Sequence, residues 1–234
     1  MFISPKSVFL SIFTALVLSA CGGGDSAGGQ GGQGRQGGPL LVDASNFDNT
    51  ALGTALAALP VDVLSDAEKT SMAFMREEEK LAHDVYALLA TLWGSNTKIF
   101  GNIAISESTH TEAMRQLLVR YTLIDPAATT APGIFQNTVL QDLYTQLATV
   151  GTLTLVDALK VGATIEEVDM IDINTALLKI DNQDIRLVYD NLLKGSRNHL
   201  RSFVKTLLAQ GVTYVPQYMS LSDYTAIIST PMER

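Results

Sequence analysis

The chain has 234 residues with ordinary apolar content, enough for one hydrophobic core, and a formal net charge of −8 that argues against nucleic acid and against electrostatic adhesion to anionic lipid. The same acidic balance is compatible with cationic ligands such as metal ions. With Cys21 as the only cysteine, no intrachain disulfide can form.

Residues 1–20 read as an export signal: Lys6 in a short head, an apolar run from Val8 to Leu18, then Leu18-Ser19-Ala20-Cys21. The run is too short to span a bilayer and ends at small residues. The setting of Cys21 resembles the bacterial lipobox, which implies a lipid-modified thiol as the mature N-terminus. The expectation is a lipoprotein of the cell envelope, facing the periplasm or exterior, that meets the membrane through its N-terminal lipid only. Residues 21–40, dominated by Gly with Gln and Ser, read as a tether; a coil of this length spans roughly 20–25 Å. The folded domain then covers 41–234.

Ser65 to Trp93 reads as a long helix, with Ser65 at the N-cap, Glu68 at the capping-box position and Gly94-Ser95-Asn96 ending it. Met72, Met75, Glu79, Ala82, Tyr86, Leu89 and Trp93 share a stripe, so Glu79 interrupts an apolar face. A second helix is predicted over Thr97–Tyr121, where Glu107 and His110 lie within the stripe Phe100, Ile103, Met114, Leu117 and Tyr121. After a loop over Pro126–Gly133 comes a short amphipathic helix near Thr138–Thr149, broken by Gly151. Third and fourth long helices are predicted over Leu153–Ile180 and Gln183–Gln210, carrying Glu166 and His199 on their apolar stripes; Gly211 stops the last. The C-terminal piece, with Pro216 and Pro231, is expected to pack irregularly outside. No strand alternation competes, so the fold class is all-α: a four-helix bundle with a long crossover, containing the short extra helix, between helices two and three.

The E-x-x-H spacing of Glu107 and His110 places carboxylate and imidazole on one helix face, the arrangement from which bundles build paired iron or manganese sites. At about 1.5 Å per residue, Glu79 lies about 20 Å before the first turn and Glu107 about 15–18 Å after it; Glu166 and His199 flank their own turn by roughly 21–23 and 25–27 Å. Four helices therefore present a carboxylate or an imidazole near one height. Glu79, Glu107, His110, Glu166 and His199 are the predicted metal ligands.

Bland alternatives stand beside several of these. Glu79 also belongs to the charged run Glu77-Glu78-Glu79-Lys80, which reads as a solvated face, and Glu78 has an apolar stripe of its own. Glu167 rivals Glu166 but shares a stripe with Lys160, Thr164 and Asn174 and so looks solvent-facing. His83 fits a third nitrogen ligand, an outer group or a surface residue. Tyr86 and Tyr189 fit hydrogen-bond donors to ligands or plain core packing. Asp169 and Asp172 follow Glu166 by about one and two turns, as ligand-orienting groups or as an acidic face.

At these residues the chain resembles the ferritin-like superfamily. Glu79-Lys80-Leu81-Ala82-His83-Asp84-Val85-Tyr86 is similar to the first helix of rubrerythrin-like proteins, and Ile103 through His110 to their second. From about Ser65 to Tyr218, Glu-Glu-Glu-Lys-Leu-Ala, Val-Gly-Ala-Thr-Ile-Glu-Glu, Val-Tyr-Asp-Asn-Leu-Leu and Gly-Ser-Arg-Asn-His-Leu-Arg-Ser-Phe resemble a bacterial and archaeal ferritin-like domain of unknown function, domain of unknown function 2202. The resemblance implies a di-metal carboxylate bundle binding one or two ions of iron or manganese, with oxidoreductase chemistry on oxygen or peroxide as one outcome. A non-catalytic metal-binding or protein-interaction bundle and a metal-free scaffold are the alternatives, and a homo-oligomer is compatible with all of them. The chain departs from the di-iron pattern at Ser196, which stands where the fourth helix should carry the Glu of a second E-x-x-H. One carboxylate is thereby lost unless Glu78, His83, Asp169 or water replaces it. No C-x-x-C pair is present for a rubredoxin-like electron donor, so a reductant must come from outside.

Overall fold

The computed structural model describes residues 48–233; the export signal, Cys21 and the Gly-rich tether lie outside them. Seven helices form: α1 (Asn49–Ala57), α2 (Asp66–Trp93), α3 (Ile99–Arg120), α4 (Thr138–Gly151), α5 (Leu155–Leu177), α6 (Gln183–Ala209) and α7 (Leu221–Ile228), with no strand among the described residues. The four long helices form a bundle in which α2 packs on α3, α5 on α6, α2 on α5 and α3 on α6. Helix α4 lies in the α3–α5 crossover and packs on α2 and α5.

Local chemistry sets the boundaries. The capping box at Ser65 is complete: its hydroxyl accepts from the Glu68 N–H at 3.2 Å, and Glu68 accepts from the Ser65 N–H at 2.9 Å. Asn137, Thr154 and Ser220 cap α4, α5 and α7 through their side chains. Gly211, just past α6, takes the left-handed backbone (φ 76°) that glycine adopts without steric penalty. The N–H of Val212 then closes on the Leu207 carbonyl at 3.0 Å.

Gly151 is the last residue of α4, where the sequence places the break, and it is there for closeness as well: a Cβ would sit 2.8 Å from Leu89 Cδ2, and its carbonyl accepts the Trp93 indole N–H at 3.0 Å. Two expectations are corrected. The C-terminal piece is not wholly irregular, since α7 packs on α6 with Tyr224 buried against Tyr214. Helix α1, not anticipated, buries Leu52 and Leu56 and packs on α3.

The run Glu77-Glu78-Glu79-Lys80 is buried throughout, which removes the alternative of a solvated face. The crossover supplies partners to its two ends, Glu77 and Lys80. Glu77 accepts the backbone N–H groups of Gln136 and Asn137 at 2.5 and 3.0 Å. Lys80 donates to Asp84 and to the carbonyls of Ala131 and Ile134, and lies over the Phe135 ring. Glu167 is likewise fully buried, not solvent-facing. It accepts the N–H groups of Gln217, Tyr218 and Met219 at 2.7–2.9 Å and the Tyr214 hydroxyl at 2.6 Å, pinning the C-terminal segment to α5.

Glu167→Ala strips those donors of their acceptor, and a buried donor left unpaired costs about 1–3 kcal/mol. The expected result is a urea midpoint lowered by a free energy on the order of 3 kcal/mol, with faster amide exchange concentrated at 217–219. Exchange unchanged at those amides would show that Glu167 does not hold the segment.

Candidate metal centre

The five predicted ligands converge in the bundle core. Glu79 comes from α2, Glu107 and His110 from α3, Glu166 from α5 and His199 from α6, each no more than 2% exposed. They form two groups, Glu79–Glu107–His110 and Glu107–Glu166–His199, with the prospective ligand atoms of each within 4.8 Å of one another. Glu107 belongs to both. Its Oε2 lies 2.9 Å from His110 Nδ1 and its Oε1 2.8 Å from His199 Nδ1. His110 Nδ1 is also 3.3 Å from Glu79 Oε2, and His199 Nδ1 is 3.5 Å from Glu166 Oε2. The two imidazoles stack at 5.5 Å between centroids.

Three buried carboxylates and two imidazoles repay desolvation only with compensating charge. Burial pushes Glu79 up to about 7 despite His110 beside it, and raises Glu166 against the pull of His199. For Glu107 burial is overcome by His110 and His199, which hold it below the ordinary carboxylate range. Burial opposes protonation of the imidazoles, but Glu166 and Glu107 raise His199 to about 9, and Glu107 and Glu79 raise His110 well above its usual value.

The donor set fits a metal. Oxygen and nitrogen ligands bound at about 2.0–2.2 Å around one ion sit about 3 Å apart when adjacent, the separation found here. Glu79 Oε1 is buried and makes no hydrogen bond. The groups behind the ligands are in place as well. Tyr86 donates to Glu166 Oε1 at 2.5 Å, and His199 Nε2 meets the Ser106 hydroxyl at 2.9 Å, which turns Nδ1 toward Glu107.

Other predicted participants lie elsewhere. His83 is about one-third exposed and turned to Asp84 at 3.0 Å, so it is outside the cluster. Tyr189 bonds Ser71 at 2.8 Å rather than a ligand. Glu78 is buried beside Asp172 and Asp169 and joins neither group, and Glu167 is occupied by the C-terminal segment. Ser196 faces Asp169, to which its hydroxyl donates at 2.5 Å. Two residues had gone unnoticed. Ser106 carries no sequence signal beyond standing next to Glu107. Gly195 does, as a glycine inside a helix: a Cβ there would lie 2.5 Å from the His110 ring, so α6 approaches that imidazole with its backbone. A cavity of about 650 Å³ between α3 and α6 reaches Ser106 and His199 and is otherwise lined in part by Lys98, Asn102, Ser202 and Lys205.

Fold and cluster together define an all-α bundle with a buried carboxylate–imidazole site capable of holding metal. The chain belongs to the family described as an uncharacterized protein domain, DUF2202, whose model matches residues 68–231. It is similar to the uncharacterized protein MJ0754 of Methanocaldococcus jannaschii, 47% identical over 179 residues, covering 76% of this chain and 96% of the relative. The crystal structure of that hypothetical protein superposes with a TM-score of 0.73, covering 75% of this chain and 99% of the other.

Gly195→Ala tests the close approach of α6. Overpacking a core costs about 1–3 kcal/mol, and that loss is expected in thermal unfolding, with the His110 ring resonances shifted and those of His83 unmoved. Unshifted His110 resonances would mean that the backbone does not abut the ring.

Proposed function

We propose that this chain is a ferritin-like metalloprotein whose Glu79, Glu107, His110, Glu166 and His199 hold one or two ions of iron or manganese. The observation that carries the reading is the shared carboxylate. Glu107 is contacted by an imidazole on each oxygen and belongs to both ligand groups, the place a bridging ligand takes. Mixed oxygen and imidazole ligation suits iron or manganese.

Bound iron or manganese would supply the one-electron steps needed for chemistry on dioxygen or peroxide. The chain's own residues do the rest. Tyr86 holds Glu166 through one oxygen and leaves the other toward His199, and Ser106 holds the His199 ring. The cavity at Ser106 and His199 offers small molecules an approach from the α3–α6 side. The absence of a C-x-x-C pair leaves reduction to an external donor.

Metal analysis of protein purified without chelators is expected to find iron or manganese. Glu107→Ala and His110→Ala should each lower bound metal by at least about tenfold, a scale reached even by changes behind the ligands. Full metal content in both folded variants would end the metal-centre reading. Turnover of ferrous iron with oxygen or peroxide then separates an oxidoreductase from a non-catalytic metal-binding bundle.

We propose also that the domain is exported and anchored through lipid on Cys21. No described helix is long and apolar enough to cross a membrane. Cys21→Ser is expected to move the protein from the membrane fraction to the soluble one, and a variant that stays with membranes would show that the anchor lies elsewhere.

A further inference from the structure

On the reading that the cluster holds metal, we infer that Asp169 of α5 is an additional ligand, replacing the carboxylate that α6 lacks at Ser196, and that Ser196 positions it. Ser196 lies three residues before His199, is 1% exposed, and has a side chain too short to present an oxygen where a glutamate would. Its hydroxyl instead contacts Asp169 Oδ2 at 2.5 Å and the Leu192 carbonyl at 2.9 Å. Asp169 follows Glu166 by three residues and so shares its helix face. Helices α5 and α6 pack together, so the missing acid has in effect crossed from one helix to its neighbour.

The remaining oxygen of Asp169 points to a cation. Asp169 is 5% exposed, and Oδ1 is buried with no hydrogen-bond partner. The charges of Glu79, Glu166 and Glu107, which come from both ligand groups, act on it. Glu79 carries a buried oxygen without a partner too. Carboxylates serving structure in this protein are treated differently: Glu77, Glu167 and Asp184 are each met by two or more donors. Glu78 also has an unpartnered oxygen and, like Asp169, joins neither tight group, but the charges beside it are those of Asp172, Asp169 and Glu79, whereas Asp169 stands beside Glu79, Glu107 and Glu166, three of the five residues of those groups. A bare carboxylate oxygen among three further carboxylates is tolerated when a cation or proton sits between them. Glu79 Oε1 and Asp169 Oδ1 are both bare, and one cation shared between them would satisfy both.

Manganese(II) alone, titrated into the full chain and followed by metal-to-protein ratio and electron paramagnetic resonance, tests this. Asp169→Asn keeps the volume and removes the charge. It is expected to lower the affinity for at least one ion by at least about tenfold, while the metal-free protein melts no lower than wild type and gains less on adding manganese. Ser196→Ala should alter the manganese spectrum with a smaller loss of affinity, as fits a group that orients the ligand. Ser196→Glu in the Asp169→Asn background is expected to recover the lost affinity. Wild-type affinity in Asp169→Asn overturns the assignment, as does a metal-free Asp169→Asn protein that melts lower yet keeps the full manganese gain, which marks a structural carboxylate. A wild-type chain that takes up no manganese or iron fails the metal-centre reading itself and is told apart by that result.

Discussion

Glu107 lies at the meeting of two imidazoles, with His110 Nδ1 against one oxygen and His199 Nδ1 against the other at under 3 Å. An ionised carboxylate at that depth costs several kcal/mol unless opposite charge reaches it, and the charge has to arrive from two helices at once. His110 comes from its own helix at the i+3 position; His199 must be delivered by α6. The height and rotation of α6 against α3 are therefore tied to one ion pair. Glu79 and Glu166 complete the ring from the remaining helices, so the polar centre fixes the register of all four in a way that leucine packing, tolerant of sliding, does not.

Around that centre the acidic residues divide by what satisfies them. Carboxylates facing loops take backbone N–H donors: Glu68 those of Asp181 and Asn182, Glu77 those of Gln136 and Asn137, Glu167 those of residues 217–219. Each binds a connecting segment to a helix. The acids facing the centre find imidazoles, one tyrosine, one serine, or nothing, and the unpartnered oxygens of Glu79 and Asp169 belong to this set. The chain's acidity is thus partly internal.

The long helices and the five converging side chains could be read from the sequence because each rests on local periodicity: polar residues interrupt apolar stripes, and helix rise alone levels them across short turns. What could not be read depends on contacts far apart in the chain. The partners of Glu77 and Lys80 are backbone groups of a crossover some fifty to sixty residues away, and a composition count sees only a charged run. Glu167 is hidden for the same reason, its donors lying 47 to 52 residues on in an irregular segment. The closeness of Gly151 to Leu89 and its hydrogen bond from Trp93 leave no local trace either. Helix α1 is short, and its two buried leucines give too little periodicity to separate it from a loop.

Glu77, Glu78 and Glu79 have a consequence for how this family can vary. Consecutive helical residues point about 100° apart, so the three acids serve the crossover, the Asp172 side and the buried carboxylate–imidazole cluster in turn. Inserting or deleting one residue upstream within α2 would rotate all three off their partners together, with no intermediate in which one is kept. A one-residue change of length inside this helix is therefore expected to undo the crossover's anchor and the polar centre at a stroke, whereas a substitution alters one partner at a time.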